Sequence, residues 1–191
     1  MGKIVLFMHE TLDGFAAGKN GELNWAHVDQ EIFDYVEERI KKTDTALYGR
    51  VTFQMMESYW PTAAEQPGAT KHDKEHAAWY KNARKVVLST TLDQAALTNT
   101  TVIGNDYPAT IRELKNETQG EILLFGSPST AHALLAEDLI EECWLFVNPV
   151  LLGEGIPVFK GIKEKQSLKL LKTHVFSSGV ICLHHKVQRE N

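Results

Sequence analysis

The sequence predicts an α/β fold: a single-domain, mixed and mostly parallel sheet with helices on both faces and a C-terminal antiparallel hairpin. Apolar runs typical of strands alternate with segments of helical periodicity, which favours parallel strands joined by helices. The last part changes to consecutive strand-like runs, with Ser178-Gly179 placed to turn the final two into a hairpin. No internal repeat or linker interrupts the pattern, so we expect one domain over residues 1–191.

The first elements are predicted from short apolar runs and the polar segments that break them. Lys3 to His9 is a strand, and a long loop of the kind that often carries function follows over ETLDGFAAGKNGELNW. Asp29 then caps a helix. The apolar positions that recur at helical spacing in this helix are Ile32, Phe33, Val36 and Ile40. A strand over TALYG follows, Gly49 and Arg50 open a second helix, and a loop is expected around Pro61 to Gly68.

The later elements are predicted in the same way. A polar helix covers KHDKEHAAWYKN, a strand that ends in hydroxyls covers KVVLSTT, and a further short strand covers TTVIG. Pro108 begins a helix over PATIRELKN. The segment LLFGSPSTAHALL joins a buried strand to a helix with Ser127 as its cap and Pro128 as its first residue. The strands of the last part are CWLFVNPVLL, SLKLLKTHVFS and GVICLHHKVQ.

Composition and charge exclude several classes of function. The chain has 20 Lys+Arg against 25 Asp+Glu and a net charge of -5, which gives no general attraction to nucleic acid or to anionic membranes. The N-terminal apolar stretch is too short for a signal peptide, and nothing later approaches a membrane span. Cys143 and Cys182 lie inside apparently buried strands, as reduced thiols of a cytoplasmic protein do.

Three junctions at strand ends carry small or hydroxyl residues, at Gly49, Ser89 and Gly126. In open parallel sheets ligands bind outside the carboxyl ends of the strands, where all three junctions are expected. A helix N-terminus offers unpaired N–H groups to an anion, and Arg50 and Thr52 stand where they would converge on a phosphate. Ordinary capping or a solvated arginine explains the same residues, so both interpretations stay open here.

The last of these junctions offers fewer backbone donors than a run of glycines would, because Pro128 has no N–H group. A pyrophosphate bound there must depend on the N–H groups and hydroxyls of Ser127, Ser129 and Thr130. Ser127 would then divide its hydroxyl between the helix cap and the ligand.

Familiar catalytic and nucleotide-binding motifs are missing from the sequence. The GFAAGKNG segment is one residue short of a Walker-type loop, and no G-x-G-x-x-G opens a helix. The HDKEH segment does not spell H-E-x-x-H and lacks an evident third ligand, so we predict no metal site. Glu10 and Asp13, both placed in the first loop, are the best carboxylate candidates, although Asp13 is equally explained as a turn residue.

The ordered set TLDGFAAG, GELNW, YGRVTF, LSTTL, LLFGSPSTAHALL and PVLLGEGIPVF resembles the dihydrofolate-reductase-like superfamily. Within it, the chain resembles the branch that contains the C-terminal reductase domain of bacterial riboflavin-biosynthesis proteins. The resemblance covers nearly the whole chain. It implies a mixed sheet with helices on both sides and hydride transfer from NADPH to a pterin or an aminopyrimidine ribosyl phosphate, as in 5-amino-6-(5-phosphoribosylamino)uracil reductase.

The resemblance also implies roles for individual residues. The implied cofactor-binding residues are Gly49, Arg50, Val51, Thr52, Ser89, Thr90, Phe125, Gly126, Ser127, Ser129 and Thr130. The implied substrate-binding residues are Asp13, Trp25, Met55 and Met56, with Asp13 as the catalytic candidate. Arg50 would favour the extra phosphate of NADPH over NADH, and Phe125 would lie near the nicotinamide. The family and the apolar CWLFVNPVLL segment suggest a homodimer formed through the antiparallel edge.

One departure from the superfamily pattern argues against true dihydrofolate reductase activity. Counting back from Gly49 without gaps, Phe33 occupies the position of the carboxylate that protonates dihydrofolate, and a phenyl ring delivers no proton. The chain also has no deaminase half. The leading hypothesis is therefore a free-standing NADPH-dependent reductase of a pyrimidine- or pterin-like small molecule. The alternatives are a nucleotide-binding or regulatory module that has lost turnover, and a protein that sequesters a drug or pterin.

Overall fold

A computed structural model describes residues 1–43, 45–94, 97–162 and 164–189 of the chain. The strands are β1 (Lys3–Thr11), β2 (Phe15–Ala17), β3 (Thr45–Gly49), β4 (Arg84–Leu88), β5 (Thr100–Ile103), β6 (Glu121–Phe125), β7 (Glu142–Asn148), β8 (Ile156–Pro157), β9 (Ser167–Val175) and β10 (Ile181–Gln188). The helices are α1 (Gln30–Ile40), α2 (Arg50–Ala63), α3 (Lys71–Asn82), α4 (Tyr107–Glu117) and α5 (Pro128–Ala136).

The predicted fold class is confirmed. An eight-stranded sheet runs in the order β5-β4-β3-β6-β1-β7-β10-β9, and β2 pairs with β8 in a separate two-stranded sheet. The pairs β3–β4, β4–β5 and β1–β7 are parallel, whereas β10 is antiparallel to both β7 and β9. The chain groups into two compact units: unit 1 comprises residues 1–2 and 29–123, and unit 2 comprises residues 3–28 and 124–189. The assignment of one domain to residues 1–191 stays a prediction.

In unit 1, helix α1 shows how the sequence fixes an element. The Asp29 side chain accepts a hydrogen bond from the Ile32 N–H group at 2.9 Å, which satisfies one of the donors that a helix N-terminus leaves unpaired. Ile32, Val36 and Ile40 are buried, as the predicted helical spacing requires. Arg39, at the C-terminal end of α1, pairs with Glu121 through two hydrogen bonds of 2.7 and 2.9 Å.

In unit 2, the predicted C-terminal hairpin is confirmed. Gly179 has φ 85°, a left-handed conformation that suits glycine, and its N–H group donates to the Phe176 carbonyl at 2.9 Å. This turn joins β9 to β10 in antiparallel register. Cys143 and Cys182 lie buried in β7 and β10, and no disulfide joins them. None of the helices in the described ranges has the length and apolar character needed to cross a lipid bilayer.

Some predicted boundaries are wrong. Pro61 lies in the last turn of α2 rather than in a loop. The ring of the preceding residue, Trp60, packs against His76 of α3 with ring centroids 4.0 Å apart. Helix α4 begins at Tyr107 instead of Pro108, because a proline is tolerated anywhere in the first turn, where its missing N–H has no intrahelical partner. Strand β1 continues to Thr11, so Glu10 belongs to the sheet rather than to the first loop.

Candidate functional site

The β3–α2 junction of unit 1 is an exposed and uncapped helix N-terminus. Gly49 occupies the cap position in extended conformation, and no side chain of the described residues caps α2 there. The first turn of α2 carries no acidic residue. Arg50 is exposed at its start, and its Nη1 donates to Gln54 Oε1 at 3.0 Å. Open N–H groups beside a guanidinium fit a phosphate, and the role of this junction in cofactor binding stays a prediction.

The sheet places the β4 end beside the β3 end. Gly49 pairs in parallel register with Leu88, and the N–H group of Ser89 donates to the Ile103 carbonyl at 2.9 Å. The Ser89 hydroxyl accepts hydrogen bonds from the N–H groups of Thr91 and Leu92, at 3.1 and 3.0 Å. The capped-turn interpretation therefore describes Ser89 in this structure, while its contact with a cofactor, like that of the exposed Thr90, stays a prediction.

Helix α2 displays the other predicted residues of unit 1. Val51 is 69% exposed and Met55 is 44% exposed, whereas Thr52 and Met56 are half-buried. The Met56 thioether accepts a hydrogen bond from Trp60 Nε1 at 3.1 Å. Exposed apolar side chains beside an open helix N-terminus leave room for a ligand, so this arrangement is compatible with the predicted cofactor and substrate contacts.

The β6–α5 junction of unit 2 has an unusual backbone. Gly126 and Ser127 both adopt left-handed conformations, with φ of 54° and 57°, and Pro128 is the first helical residue. The Gly126 N–H group donates to the Phe7 carbonyl at 2.8 Å, which fixes the turn to β1. A left-handed conformation is rare for serine, and such backbone often accompanies a functional constraint.

The prediction that the Ser127 hydroxyl caps α5 is wrong. Ser127 holds the cap position, but its Oγ lies 2.9 Å from the Thr130 Oγ1 and makes no bond to the N–H groups of α5. Helix α5 therefore begins with no side-chain cap from the described residues and no acid in its first turn, which suits an anion. The predicted pyrophosphate contact stays a prediction.

Two further predicted residues flank this junction. Phe125 is buried, with its ring centroid 5.5 Å from that of Phe7, so its ring is part of the aromatic core of unit 2. Ser129 is exposed in the first turn of α5. The role of these residues in cofactor binding stays a prediction.

The carboxylate of Asp13 links two loops of unit 2. It accepts hydrogen bonds from the Thr11 hydroxyl at 2.6 Å, from the Gly153 N–H group at 2.7 Å and from the Leu152 N–H group at 3.1 and 3.2 Å. The Thr11 hydroxyl and the Gly153 N–H group lower the pKa of Asp13 below its ordinary value. An ionised carboxylate with these four contacts is suited to binding and positioning rather than to proton donation, and a catalytic role stays a prediction.

Replacement of Asp13 by asparagine is expected to loosen the 152–153 loop. The amide has one acceptor oxygen and no charge, so it cannot accept all the bonds that the carboxylate accepts. We expect hydrogen exchange at the Leu152 and Gly153 amides to become several-fold faster, measured by NMR. In the control, Asp34→Asn removes an exposed carboxylate of α1 and should leave the exchange rates of the Leu152 and Gly153 amides unchanged. Equal exchange rates in the two variants would contradict the role of Asp13.

Asn148, which the sequence analysis did not select, anchors the loop that carries Trp25. Its buried side chain accepts a hydrogen bond from the His27 N–H group at 2.8 Å and donates to the Phe146 and Glu10 carbonyls at 3.0 and 3.2 Å. The Trp25 indole N–H donates to the Glu22 carbonyl at 3.1 Å. The signal that could have identified Asn148 is a buried asparagine at the end of a strand. That signal does not indicate the partner, because His27 lies 121 residues away in the chain.

Glu10 is a half-buried carboxyl near the end of β1. Burial raises its pKa to about 7, so at neutral pH the group exists in both protonation states and can hold or release a proton. The neighbouring His9 is stacked on Phe146 with ring centroids 4.8 Å apart, and burial lowers its pKa to about 4. His9 is therefore neutral at pH 7. Of these two side chains, Glu10 is the one whose protonation state changes near neutral pH.

Comparison with known proteins links the whole chain to one family. The family described as RibD C-terminal domain matches residues 2–182. The uncharacterized protein YyaP of Bacillus subtilis is 34% identical over 182 residues, which cover 94% of this chain and 92% of YyaP.

Two solved structures share the fold. A pyrimidine reductase-like protein from Corynebacterium diphtheriae superimposes with a TM-score of 0.70 at 16% identity, covering 99% of this chain and 93% of that one. A dihydrofolate reductase from Enterococcus faecalis, complexed with NADP(H), superimposes with a TM-score of 0.64 at 15% identity, covering 98% of both chains. These likenesses confirm the dihydrofolate-reductase-like fold.

Proposed function

Because this chain belongs to the RibD C-terminal domain family, we propose that it is an NADPH-dependent reductase of a pyrimidine- or pterin-like small molecule. The observation that carries the proposal is the β3–α2 junction, where Arg50 stands at a helix N-terminus that has no side-chain cap from the described residues and no acid in its first turn. The N-terminus of α5, taken by itself, has the same two features. The reductase-like name of the Corynebacterium protein and the NADP(H) of the Enterococcus enzyme support the same choice of chemistry.

The chain's own residues would bind and orient the cofactor. NADPH supplies the hydride when bound. The Arg50 guanidinium would hold the 2′-phosphate, with the backbone from Gly49 to Thr52 as additional donors. At α5, the N–H groups of Ser129 and Thr130 would hold the pyrophosphate.

The substrate side of the proposal depends on other residues. Met55 and Met56 would contact the substrate ring, and Asp13 and Trp25 would contact it from the first loop. Glu10 is the carboxyl that holds a proton near neutral pH, so we include it as the candidate proton donor.

We further propose a cytoplasmic homodimer. The apolar CWLFVNPVLL segment does not supply the interface, because β7 lies between β1 and β10 within the sheet and its residues are mostly buried. The antiparallel edge itself is β9, where Leu168, Leu170 and Val175 are exposed, and the proposed dimer would cover this surface. The mass of the protein in solution checks this, and a monomer would exclude it.

Binding and turnover test the proposal directly. We expect calorimetry to detect NADPH binding with a dissociation constant between about 1 μM and 1 mM, the usual range for enzymes and their substrates. NADPH absorbance should then fall in the presence of at least one compound from a panel of pterins and aminopyrimidine ribosyl phosphates. A protein that binds no NADPH in this range would contradict the proposal.

A second candidate is a nucleotide-binding module without turnover. By the gapless count from Gly49, Phe33 takes the place of the superfamily's acid, and a phenyl ring supplies no proton. The structure stacks this ring on His72 with centroids 3.5 Å apart. NADPH binding without oxidation across the whole panel would favour this candidate over the reductase.

A further inference from the structure

The His9 imidazole of unit 2 lies near the carboxyl end of β1. His9 is opposite Phe146 in the parallel register of β1 and β7, and Asn148 is the last residue of β7. In open α/β sheets this end of the strands is where ligands bind. The proposed function assigns no role to His9.

Aromatic neighbours fix the plane of the His9 ring. The ring is stacked on Phe146 with centroids 4.8 Å apart and an interplanar angle of 17°, and it meets Phe7 edge to face with centroids 6.0 Å apart. Burial lowers the pKa of His9 to about 4. The imidazole is therefore neutral at pH 7 and carries a single N–H group.

The Asn148 side chain determines which ring nitrogen of His9 carries that hydrogen. Asn148 Oδ1 accepts from the His27 N–H group at 2.8 Å, which fixes the orientation of the amide. Asn148 Nδ2 then faces the Phe146 and Glu10 carbonyls and lies 3.4 Å from His9 Nδ1. Since an amide nitrogen only donates, His9 Nδ1 is the acceptor of this contact. The hydrogen of the neutral ring is therefore on Nε2.

The Nε2–H group of His9 is open to a ligand. Within residues 1–43, 45–94, 97–162 and 164–189, no group accepts a hydrogen bond from it. His9 is half-buried and its Nε2 atom is not enclosed, so solvent or a ligand reaches it. The stacked ring and the Asn148 contact hold this donor in one direction, which lowers the entropic cost of a hydrogen bond to a ligand.

The neutrality of this donor indicates the kind of acceptor that it suits. A phosphate or carboxylate is bound most strongly by a charged donor, which a neutral imidazole is not. A carbonyl oxygen is uncharged and accepts a hydrogen bond from a single N–H group. The His9 donor therefore fits a carbonyl group of a neutral ring better than it fits an anion.

We propose that His9 is a specificity-determining residue that donates a hydrogen bond from Nε2 to a ring carbonyl oxygen of the substrate. This inference rests on the proposed reductase function, and it narrows the substrate to an oxo-substituted ring such as a uracil or an oxopterin. Asn148 is a positioning residue, because it fixes the His9 tautomer and, through His27, holds the segment that carries Trp25.

The tautomer of His9 is tested in the full chain without ligand. Long-range proton–nitrogen correlation NMR spectra at pH 7 should show the hydrogen on Nε2. Asn148→Ser shortens the side chain so that it no longer reaches His9, and the His9 nitrogen signals should then average between the two tautomers. A hydrogen on Nδ1 in the native protein would overturn the proposal, and this spectrum decides the point even if Asn148→Ser does not fold. An unchanged tautomer in Asn148→Ser would overturn the role of Asn148.

The carbonyl contact is tested with 5-aminouracil and with 5-aminopyrimidine, the same ring without carbonyl groups. Calorimetric titrations with and without NADPH should show that the native protein prefers 5-aminouracil. His9→Phe keeps an aromatic ring against Phe146 but has no N–H group, so the preference should fall by about two- to tenfold, the effect of one neutral hydrogen bond. His9→Gln retains an amide N–H donor and should keep more of the preference than His9→Phe.

The outcomes separate the role of His9 from the reductase function. An unchanged preference in His9→Phe would overturn the proposal, as would a lack of saturable 5-aminouracil binding both with and without NADPH. In the native protein the His9 Nε2 signal should shift with 5-aminouracil, and a signal that does not move would overturn the proposal even if His9→Phe does not fold. NADPH oxidation combined with an unchanged preference contradicts only the role of His9. A preference that depends on His9 without any NADPH binding contradicts only the reductase function.

Discussion

Replacing Arg50 by alanine is expected to weaken NADPH binding by about ten- to a hundredfold, because a hydrogen bond to a charged group contributes about 1.5–3 kcal/mol. Arg50 is exposed at the first position of α2, and its contact with Gln54 is a single hydrogen bond that a phosphate would readily replace. NADH lacks the 2′-phosphate, so its affinity should change little. Calorimetric titration of both cofactors into both proteins measures the difference.

Two controls separate the phosphate contact from a general loss of positive charge. Lys74→Ala removes an exposed cation from α3 and should leave the affinities for NADPH and NADH unchanged. Arg50→Lys keeps the charge but loses the planar fork, and should fall between the native protein and Arg50→Ala for NADPH. An equal loss of affinity for NADPH and NADH in Arg50→Ala would show that Arg50 does not bind the 2′-phosphate.

The fold could be predicted from the sequence wherever one local pattern determined an element. The cap and apolar spacing of α1 involve neighbours in the chain, and the Ser178-Gly179 turn specifies its hairpin by backbone conformation alone. Pro61 failed as a helix-ending signal because the packing of Trp60 against His76, a contact between two helices, holds the last turn of α2 in place.

Side chains whose partners lie far along the chain could not be predicted in this way. The polar composition of KHDKEHAAWYKN suggested a solvated face, yet His72 is buried against Phe33 from α1. The Asp13 carboxylate binds N–H groups 139 and 140 residues away, and no turn signal around Asp13-Gly14 indicates them. The junctions at Gly49 and Gly126 were predicted from neighbouring residues in the chain, and the structure has both at strand ends.

The Glu142 carboxylate in unit 2 presents the clearest pH dependence of the fold. It is 7% exposed at the start of β7 and accepts hydrogen bonds from Lys3 Nζ at 2.8 Å and from His184 Nε2 at 2.7 Å. Burial alone would raise its pKa, but the bonds to Lys3 and His184 outweigh burial and lower the pKa to about 2. The ionised form is therefore the one that the folded state prefers.

Glu142→Gln is expected to lower the free energy of unfolding at pH 7 by about 3 kcal/mol, the value that corresponds to a pKa of about 2 in the folded state and 4.5 in the unfolded state. A carboxyl whose pKa is lower in the folded state stabilises the protein above pH 4.5. That contribution disappears as the pH falls from about 4.5 to about 2, so the native protein and the variant should converge there. Urea denaturation across this pH range measures both curves.

Glu113→Gln, at an exposed position of α4, is the matched control and should follow the native curve. A constant difference between Glu142→Gln and the native protein at every pH would show that the loss comes from packing rather than from the charge of Glu142.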